Sequence, residues 1–346
     1  MGARSIGERS HAARLPMSFP KAIHHPLALA LSRVRYILCP FMNVLVTGAS
    51  GFVGSALVPA LSEAGHSVRR LVRARDQVSH DAFFWDPNRN QLDSAALNDV
   101  DAVVHLAGDN IAVGRWTEAR KRALRESRVV GTKLLANAIA GCAKPPGVLV
   151  SASAIGFYGD RGSEWLDEES SPGTGFLPTV CGEWEAASDP VASAGIRRVI
   201  LRFGIILAPC GGALAKMLTP FRLGLGGVIG SGNQFMSWIT LEDVVGVIRH
   251  VTDRPSLQGV VNVVSPQPVT NREFTQRLAS AVHRPAFLPL PAFAARLAFG
   301  EMADATLLAS ARVRPGRLLQ SGYPFRHSQL EPSLVEMLRS AEARKS

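Results

Sequence analysis

Met42-Asn-Val-Leu-Val-Thr-Gly-Ala-Ser-Gly-Phe-Val-Gly54 begins with a short apolar run, turns on glycine and continues into Ser55-Ala-Leu-Val-Pro-Ala-Leu-Ser-Glu-Ala64. The first part reads as a buried strand over 43–47 and the last as a helix over 54–64. Between them Gly48, Gly51 and Gly54 form a GxxGxxG turn. In the strand–turn–helix setting this spacing has a physical meaning. The first two glycines let the backbone turn tightly and approach a pyrophosphate, and the third lets the helix pack closely on the strand. The unpaired amides of the helix N-terminus then face the phosphates. A second strand over 67–72 follows at the distance expected of such a unit, so the stretch predicts dinucleotide binding through Gly48, Ser50, Gly51, Phe52, Val53 and Gly54.

Outward from this unit, strand and helix keep alternating. Ala102-Val-Val-His-Leu106, Gly147-Val-Leu-Val-Ser151 and Arg198-Val-Ile-Leu-Arg202 read as further strands, with a long helix over 117–140 between the first two. Alternation of this kind implies parallel pairing with crossover helices. The expected fold is α/β: a Rossmann-type doubly wound parallel sheet with a smaller mixed C-terminal substrate lobe. The expected domains are a Rossmann domain over 42–260, with pocket insertions near 160–180 and 205–240, and a small C-terminal domain over 261–338. Residues 1–41 have no clear periodicity and carry prolines at 16, 20, 26 and 40. They are expected to be an extension: a disordered tail, an upstream start assigned in place of Met42, or an Arg-rich, acid-poor targeting segment.

The chain has 346 residues, 47% of them hydrophobic, enough for a full core. No apolar run reaches the roughly 18 residues a membrane helix needs, so no membrane association is expected. The net charge of +10 raises a nucleic-acid reading. Its distribution argues against one, because residues 1–41 contribute six Lys or Arg against Glu8 alone. The remaining excess is scattered without interleaved aromatics, as on a solvated basic surface. Cys39, Cys142, Cys181 and Cys210 form neither a CxxC pair nor a cluster with histidine. That speaks against a structural metal and against a disulfide framework, and for a reducing, cytoplasmic setting. A homo-oligomer is compatible with the sequence.

Cofactor selectivity is read at the end of the second strand. A carboxylate there would hold the ribose 2′-hydroxyl of NAD. The chain instead has Val72 followed by Arg73, with Arg75 nearby, which suits the extra 2′-phosphate of NADP. Arg69 and Arg70 are expected to be solvated. Leu106, Ala107 and Gly108 should form the turn beside the ribose and pyrophosphate, with His105 a packed strand residue. Arg128, on the long helix, either reaches a cofactor phosphate or a substrate, or is a surface arginine.

Taken with Asn110-Ile-Ala-Val-Gly-Arg-Trp116, Ser127-Arg128, Ser151-Ala-Ser-Ala-Ile-Gly-Phe-Tyr-Gly159, Trp184-Glu185, Leu223-Gly-Leu-Gly-Gly227, Gly230-Ser-Gly-Asn-Gln-Phe-Met-Ser-Trp-Ile239 and Gly300-Glu-Met302, the sequence over about 42–338 resembles the extended short-chain dehydrogenase/reductases. Within them it is similar to the branch called epimerase family proteins, whose C-terminal domain has no assigned function. The resemblance implies a Rossmann fold and NADP binding. It also implies where chemistry should lie, since the wider superfamily uses a serine, a tyrosine and a lysine four residues after that tyrosine. Ser153 matches the serine. The segment that should carry Tyr-x-x-x-Lys reads Phe176-Leu-Pro-Thr-Val-Cys-Gly-Glu-Trp-Glu185, which puts Leu177 and Cys181 in the places of the tyrosine and the lysine.

Two other residues are candidates for chemistry at this place. Tyr158 could supply the missing acid from the end of the neighbouring strand, against a structural or substrate-lining role. Cys181 could be a nucleophile, but without a neighbouring histidine it reads better as a buried helix residue. Glu183 and Glu185 read as a helix face, Phe235 and Trp238 as candidates to line a pocket, Asp243 as a helix cap, and 226–232 as a flexible wall or lid. The leading expectation is an NADP(H)-binding oxidoreductase or epimerase-like enzyme acting on a small substrate of a class that includes sugar nucleotides, with Ser153 and Tyr158 as candidate catalytic residues. The alternative is a non-catalytic NADP(H)-sensing regulatory protein.

Overall fold

In the computed structural model, which describes residues 41–343, strands over Asn43–Thr47 (β1), Ser67–Val72 (β2), Ala82–Asp86 (β3), Gln91–Leu92 (β4), Ala102–His105 (β5), Val148–Ala154 (β6), Arg197–Phe203 (β7) and Gly259–Val263 (β8) form one sheet. Its order is β8-β7-β6-β5-β1-β2-β3-β4, and every pairing is parallel except that of β4 with β3. The chain runs outward from β1 through β2 and β3, then returns to the other side of β1 with β5. That reversal opens a crevice at the carboxyl ends of β1 and β5, the switch point where doubly wound sheets bind ligands. Thr47 stands opposite His105 in register there.

The strands form because their apolar runs are covered on both faces. Val44, Leu45 and Val46 are all buried. Val44 and Val46 join Leu57 and Leu61, from the helix Gly54–Glu63 (α1), in one core layer. Leu45 packs in the opposite layer with Leu135, Ala136 and Ile139 of the helix Glu118–Ala140 (α2). Thr117 caps α2, its hydroxyl accepting the Arg120 amide at 3.2 Å. Buried positions 124, 131, 132, 135, 136 and 139 then recur at helical spacing on the face turned to the sheet.

The expected strands and helices are present with ends moved by one to three residues. One shift matters, because β5 stops at His105 and Leu106 already belongs to the crevice loop. The expected domain boundary at 260/261 falls inside β8, which pairs with β7 over its whole length. The C-terminal residues are threaded back into the lobe above the sheet. Arg312–Val313 pairs in parallel with Trp165–Leu166, and the helix Leu330–Ala343 packs on Asn271–Ala281 through Leu278, Leu330, Leu334 and Leu338. No helix among the described residues is long and apolar enough to cross a membrane. The readings of residues 1–40 lie outside the described residues.

Candidate cofactor and active site

The turn after β1 leaves no room for side chains. Gly48 has φ +68°, and a Cβ there would lie 2.8 Å from the Leu106 carbonyl carbon and 2.9 Å from the Ala107 nitrogen. A Cβ on Gly54 would lie 2.2 Å from the Gly48 oxygen, so the first turn of α1 presses directly on the loop. That helix end has no side-chain cap and no acidic residue in its first turn. The amides of Ser55 and Ala56 are taken by the Gly51 and Val53 carbonyls, and no side chain caps or neutralises the positive end of the helix, which suits an anion site. Ser50 and Gly51 are exposed along the loop, and Phe52 and Val53 are half-buried. Thr47 ties the two strand ends together: its hydroxyl accepts the amides of Leu106 and Ala107, each at 3.2 Å, and lies 2.7 Å from His105 Nδ1. The other ring nitrogen of His105 meets the Thr132 hydroxyl at 2.8 Å. Burial pushes the imidazole down to about 4, confirming His105 as a packed residue.

At the end of β2, Val72 is half-buried and Arg73 exposed. The other arginines of this region are engaged. Arg70 pairs with Asp81 at 2.9 Å, Arg69 donates to the Asn98 carbonyl, and Arg75 lies 4.0 Å over the Phe84 ring. Arg69 and Arg70 are thus partly exposed, as expected, but each has a partner. Arg73 makes no hydrogen bond or ion pair among the described residues, which leaves its guanidinium for a ligand.

Across the crevice, Arg128 lies against Gly108 and donates to the carbonyls of Asp109 at 2.9 Å and Leu124 at 3.0 Å. It also lies 5.1 Å over the Trp184 ring, and burial lowers its pKa. Arg128 is therefore no free surface arginine: its Nη donors fix the loop that walls the crevice, and its guanidinium lies at the crevice beside Gly108. Two glycines escaped the sequence reading. A Cβ on Gly211 or Gly212 would come within 2.7 or 2.8 Å of the Phe52 ring, so this pair seats Phe52 over the phosphate loop. Their adjacency was the available signal, but only the fold shows what they face.

The other end of the site is built where β6 ends. Ser153 is 2% exposed and donates to Glu185 Oε1 at 2.6 Å. Glu185 lies on the helix Phe176–Ala186 (α3), whose residues 177, 181 and 185 recur one turn apart. Leu177 and Cys181 both stand against Gly156, consistent with their expected places, and neither can replace a tyrosine or a lysine. Burial first, and then the Glu185 charge, push the Cys181 thiol up to about 12, so no thiolate is available.

Glu185 is held in turn by Arg202 of β7, which donates from Nε to Oε1 at 2.8 Å and from Nη2 to Oε2 at 2.7 Å. Arg202 also lies 3.4 Å from the Phe157 ring centroid and donates to the Tyr158 hydroxyl at 3.0 Å. Burial pulls the Arg202 pKa down, but the Glu185 bonds and charge more than offset this and hold it raised. Both side chains are almost wholly removed from water, with 4% and 11% exposed, so the pair depends on its bidentate geometry.

Tyr158 is fully buried, and its hydroxyl lies 2.8 Å from both the Asn262 side-chain oxygen and the Asp167 carbonyl. Burial raises its pKa. The proposed catalytic acid is therefore corrected to a buried tie among three segments, because no face of its phenol is open to a reacting group. Sequence reasoning placed Ser153 correctly at the strand end but missed its partners Glu185 and Arg202. Glu185 was visible one turn after Cys181; Arg202 gave no local signal.

Other expectations also change. Glu183 pairs with Arg125 of α2 and stands apart from Glu185. Trp238 is fully buried with its ring nitrogen donating to the Gln267 carbonyl, so it lines no pocket. Thr240, not Asp243, caps the helix Leu241–Asp253, while Asp243 accepts the amides of Arg326 and His327 and anchors the C-terminal segment. The 226–232 stretch is pinned rather than free: Leu288, Leu290 and Gly230 form backbone bonds across it, and Asn271 accepts the Ile229 amide at 2.8 Å. Among the described residues no group of three or more His, Cys, Asp or Glu side chains is arranged to hold a metal.

Comparison with known proteins gives the family and the fold. Residues 44–264 match the model of the NAD dependent epimerase/dehydratase family, and residues 290–337 match a domain of unknown function, DUF1731. An epimerase family protein of Mycobacterium bovis is 44% identical over 84% of this chain and 96% of its own length. The crystal structure of the human epimerase family protein SDR39U1 with NADPH superposes with a TM-score of 0.78 at 36% identity, covering 86% of this chain and 99% of that one. A nucleoside-diphosphate sugar epimerase from Corynebacterium glutamicum gives a TM-score of 0.73 at 34% identity over 87% of this chain, which spans 59% of that protein.

Proposed function

Because this chain belongs to the NAD-dependent epimerase/dehydratase family, we propose that it binds NADP(H) in the β1–β5 crevice and acts on a small-molecule substrate between the carboxyl edge of the sheet and the C-terminal lobe. The pyrophosphate is taken by the loop from Gly48 to Gly54 and the end of α1, the 2′-phosphate by Arg73, and the wall is Leu106–Gly108 held by Arg128. The observation that carries the cofactor choice is the unpaired guanidinium of Arg73 beside arginines that all have partners. The NADPH in the human relative's structure supports the same choice. Bound NADPH supplies a hydride.

The chain's own groups limit the rest of the chemistry. Ser153 directs its proton at Glu185, so its oxygen accepts rather than donates toward the crevice. With Leu177 and Cys181 at the tyrosine and lysine places, no such relay is formed among the described residues, and any proton exchanged with a substrate passes through the Ser153–Glu185 pair or through solvent. The reading is an oxidoreductase or epimerase-like enzyme with an atypical proton path, and a sugar nucleotide is one substrate class that fits. The same closed network favours a second reading, an NADP(H) sensor without turnover.

The test is the affinity of the full chain for NADPH, NADP, NADH and NAD, repeated on Arg73→Ala. We expect NADP(H) preference, with NADPH affinity falling about 10- to 100-fold in the variant and NADH affinity unmoved. Equal affinity for all four in the wild type removes the cofactor assignment. A substrate screen with NADPH then separates the two readings, since a sensor has no turnover to lose in Ser153→Ala.

A further inference from the structure

The helix Ala292–Phe299, Ala-Phe-Ala-Ala-Arg-Leu-Ala-Phe, carries its large apolar side chains on the outside. A surface helix ordinarily buries its apolar stripe. This one buries Ala295 and leaves Phe293 and Leu297, one turn apart on one face, 71% and 75% exposed. The apolar surface does not end with the helix. Residues 222–228 and 284–290 run side by side up to its start, Leu288 donating its amide to the Gly226 carbonyl at 3.2 Å and Leu290 to that of Val228 at 2.8 Å. They present Leu223, Leu225 and Phe287, each more than half exposed. Single exposed apolar residues are ordinary, but five on adjoining segments form a patch of the kind that marks an interaction surface.

Charge around the patch has one dominant sign. No Asp or Glu occurs between Asp189 and Glu242 or between Glu273 and Glu301, whereas Arg222, Arg284 and Arg296 lie in those stretches beside the apolar residues. Arg284 donates to the backbone carbonyls of Arg222 and His283, and Arg222 has no side-chain partner among the described residues. Of the three, Arg296 has a carboxylate, Asp304 at 2.9 Å. Arg115 adds a guanidinium from the loop after Gly108, donating to the Leu297 carbonyl. Neither 222–228 nor 284–299 holds a tyrosine or a tryptophan, the residues that anchor contacts between proteins. Phenylalanine and leucine set among arginines is instead the composition of a face that rests in the headgroup layer of an anionic bilayer. A second copy of the chain fits poorly, because a two-fold contact brings the arginine rim onto itself. That no described helix is long and apolar enough to cross a bilayer has no bearing on docking at its surface.

We propose that the face formed by Leu223, Leu225, Phe287, Phe293 and Leu297, with Arg222, Arg284 and Arg296 around it, is a docking surface for an anionic phospholipid bilayer. The apolar side chains enter the boundary between headgroups and acyl chains, and the guanidinium groups meet lipid phosphates. Both contacts are needed, since five side chains bury little area and exposed charges are screened beyond about 8 Å at physiological salt. Arg115 ties the loop after Gly108 to the same helix, so the docked face lies next to that loop.

The experiment is co-sedimentation of the full chain with vesicles of phosphatidylcholine alone and of phosphatidylcholine with one third phosphatidylglycerol. It is run on wild type, on Phe293→Ser with Leu297→Ser, and on Arg222→Ser with Arg284→Ser. Wild type is expected to bind the anionic vesicles, to release them in high salt and to leave the neutral ones in solution. Each pair of substitutions should lower the partition coefficient about tenfold or more. The melting temperature should be kept in both variants, because all four residues are exposed. Binding that is equal on neutral vesicles, absent from both, or retained in both variants overturns the assignment. So does a wild-type dimer in sedimentation velocity that Phe293→Ser with Leu297→Ser makes a monomer, which would give the face to a second copy.

Discussion

The two ends of the crevice are built in different ways. The phosphate end is made of backbone: three glycines, a helix terminus and two strand ends tied by Thr47, all but the last within a dozen residues of sequence. The Ser153 end is made of side chains drawn from α3, β6, β7 and β8, and each is held by the others. In the proposed reading the first would bind by shape and by the partial charge of amides, so any sequence that preserves the turn preserves the site. The second places a charged pair away from water, where each partner is tolerable only because the other is present. A backbone site is robust and local. A side-chain network is specific and fragile, and perturbing each end should show the difference.

The largest effect should come from Glu185→Ala, which leaves the Arg202 guanidinium buried and unpaired. We expect a loss of about 3–5 kcal/mol in urea denaturation, with partial recovery when Arg202 is also replaced by Met. A loss below about 1 kcal/mol would mean that water reaches the pair and that the two ends do not differ as described.

Acid should act next, and through the phosphate end. His105 is neutral in the folded chain down to about 4, whereas the unfolded chain takes up its proton near the ordinary value of 6.5. The stability from keeping it neutral is complete above pH 6.5 and is lost progressively as pH falls toward 4, by about 3 kcal/mol in all. His105→Gln should flatten that part of the pH–stability curve; an unchanged slope would assign the acid sensitivity elsewhere.

Gly54→Ala should cost about 2 kcal/mol in stability through the overlap with the Gly48 carbonyl, and at least tenfold in NADPH affinity. If the affinity is retained, the loop binds without its close helix contact. The smallest effect is expected from Tyr158→Phe, about 1.5 kcal/mol from a buried hydroxyl with three partners. NADPH affinity should not change. A variant of full stability that had lost turnover would restore Tyr158 to catalysis.

The absence of Tyr-x-x-x-Lys was legible because it is a statement about neighbours on one helix: Leu177 and Cys181 are what the sequence says they are, wherever the helix lies. The place of Arg73 was legible for the same reason, since it needs only the end of one strand. Tyr158 was misread because an apolar segment with a phenol can point it inward or outward, and the inward choice is made by Asn262, more than 100 residues away. The loop-fixing bonds of Arg128 were not legible because their acceptors are carbonyls, which carry no signature of residue type.

By itself the sequence determined the alternation of strands and helices, the tight glycine turn, and the arginine at the end of the second strand. Each of these is fixed by periodicity or by backbone sterics acting over a few residues. Only the tertiary structure decided that Glu185 and Arg202 hold Ser153 and that Gly211 and Gly212 seat Phe52. Those outcomes depend on which side chains arrive at the same place once the sheet has assembled, and on the cost of leaving a charge there without a partner.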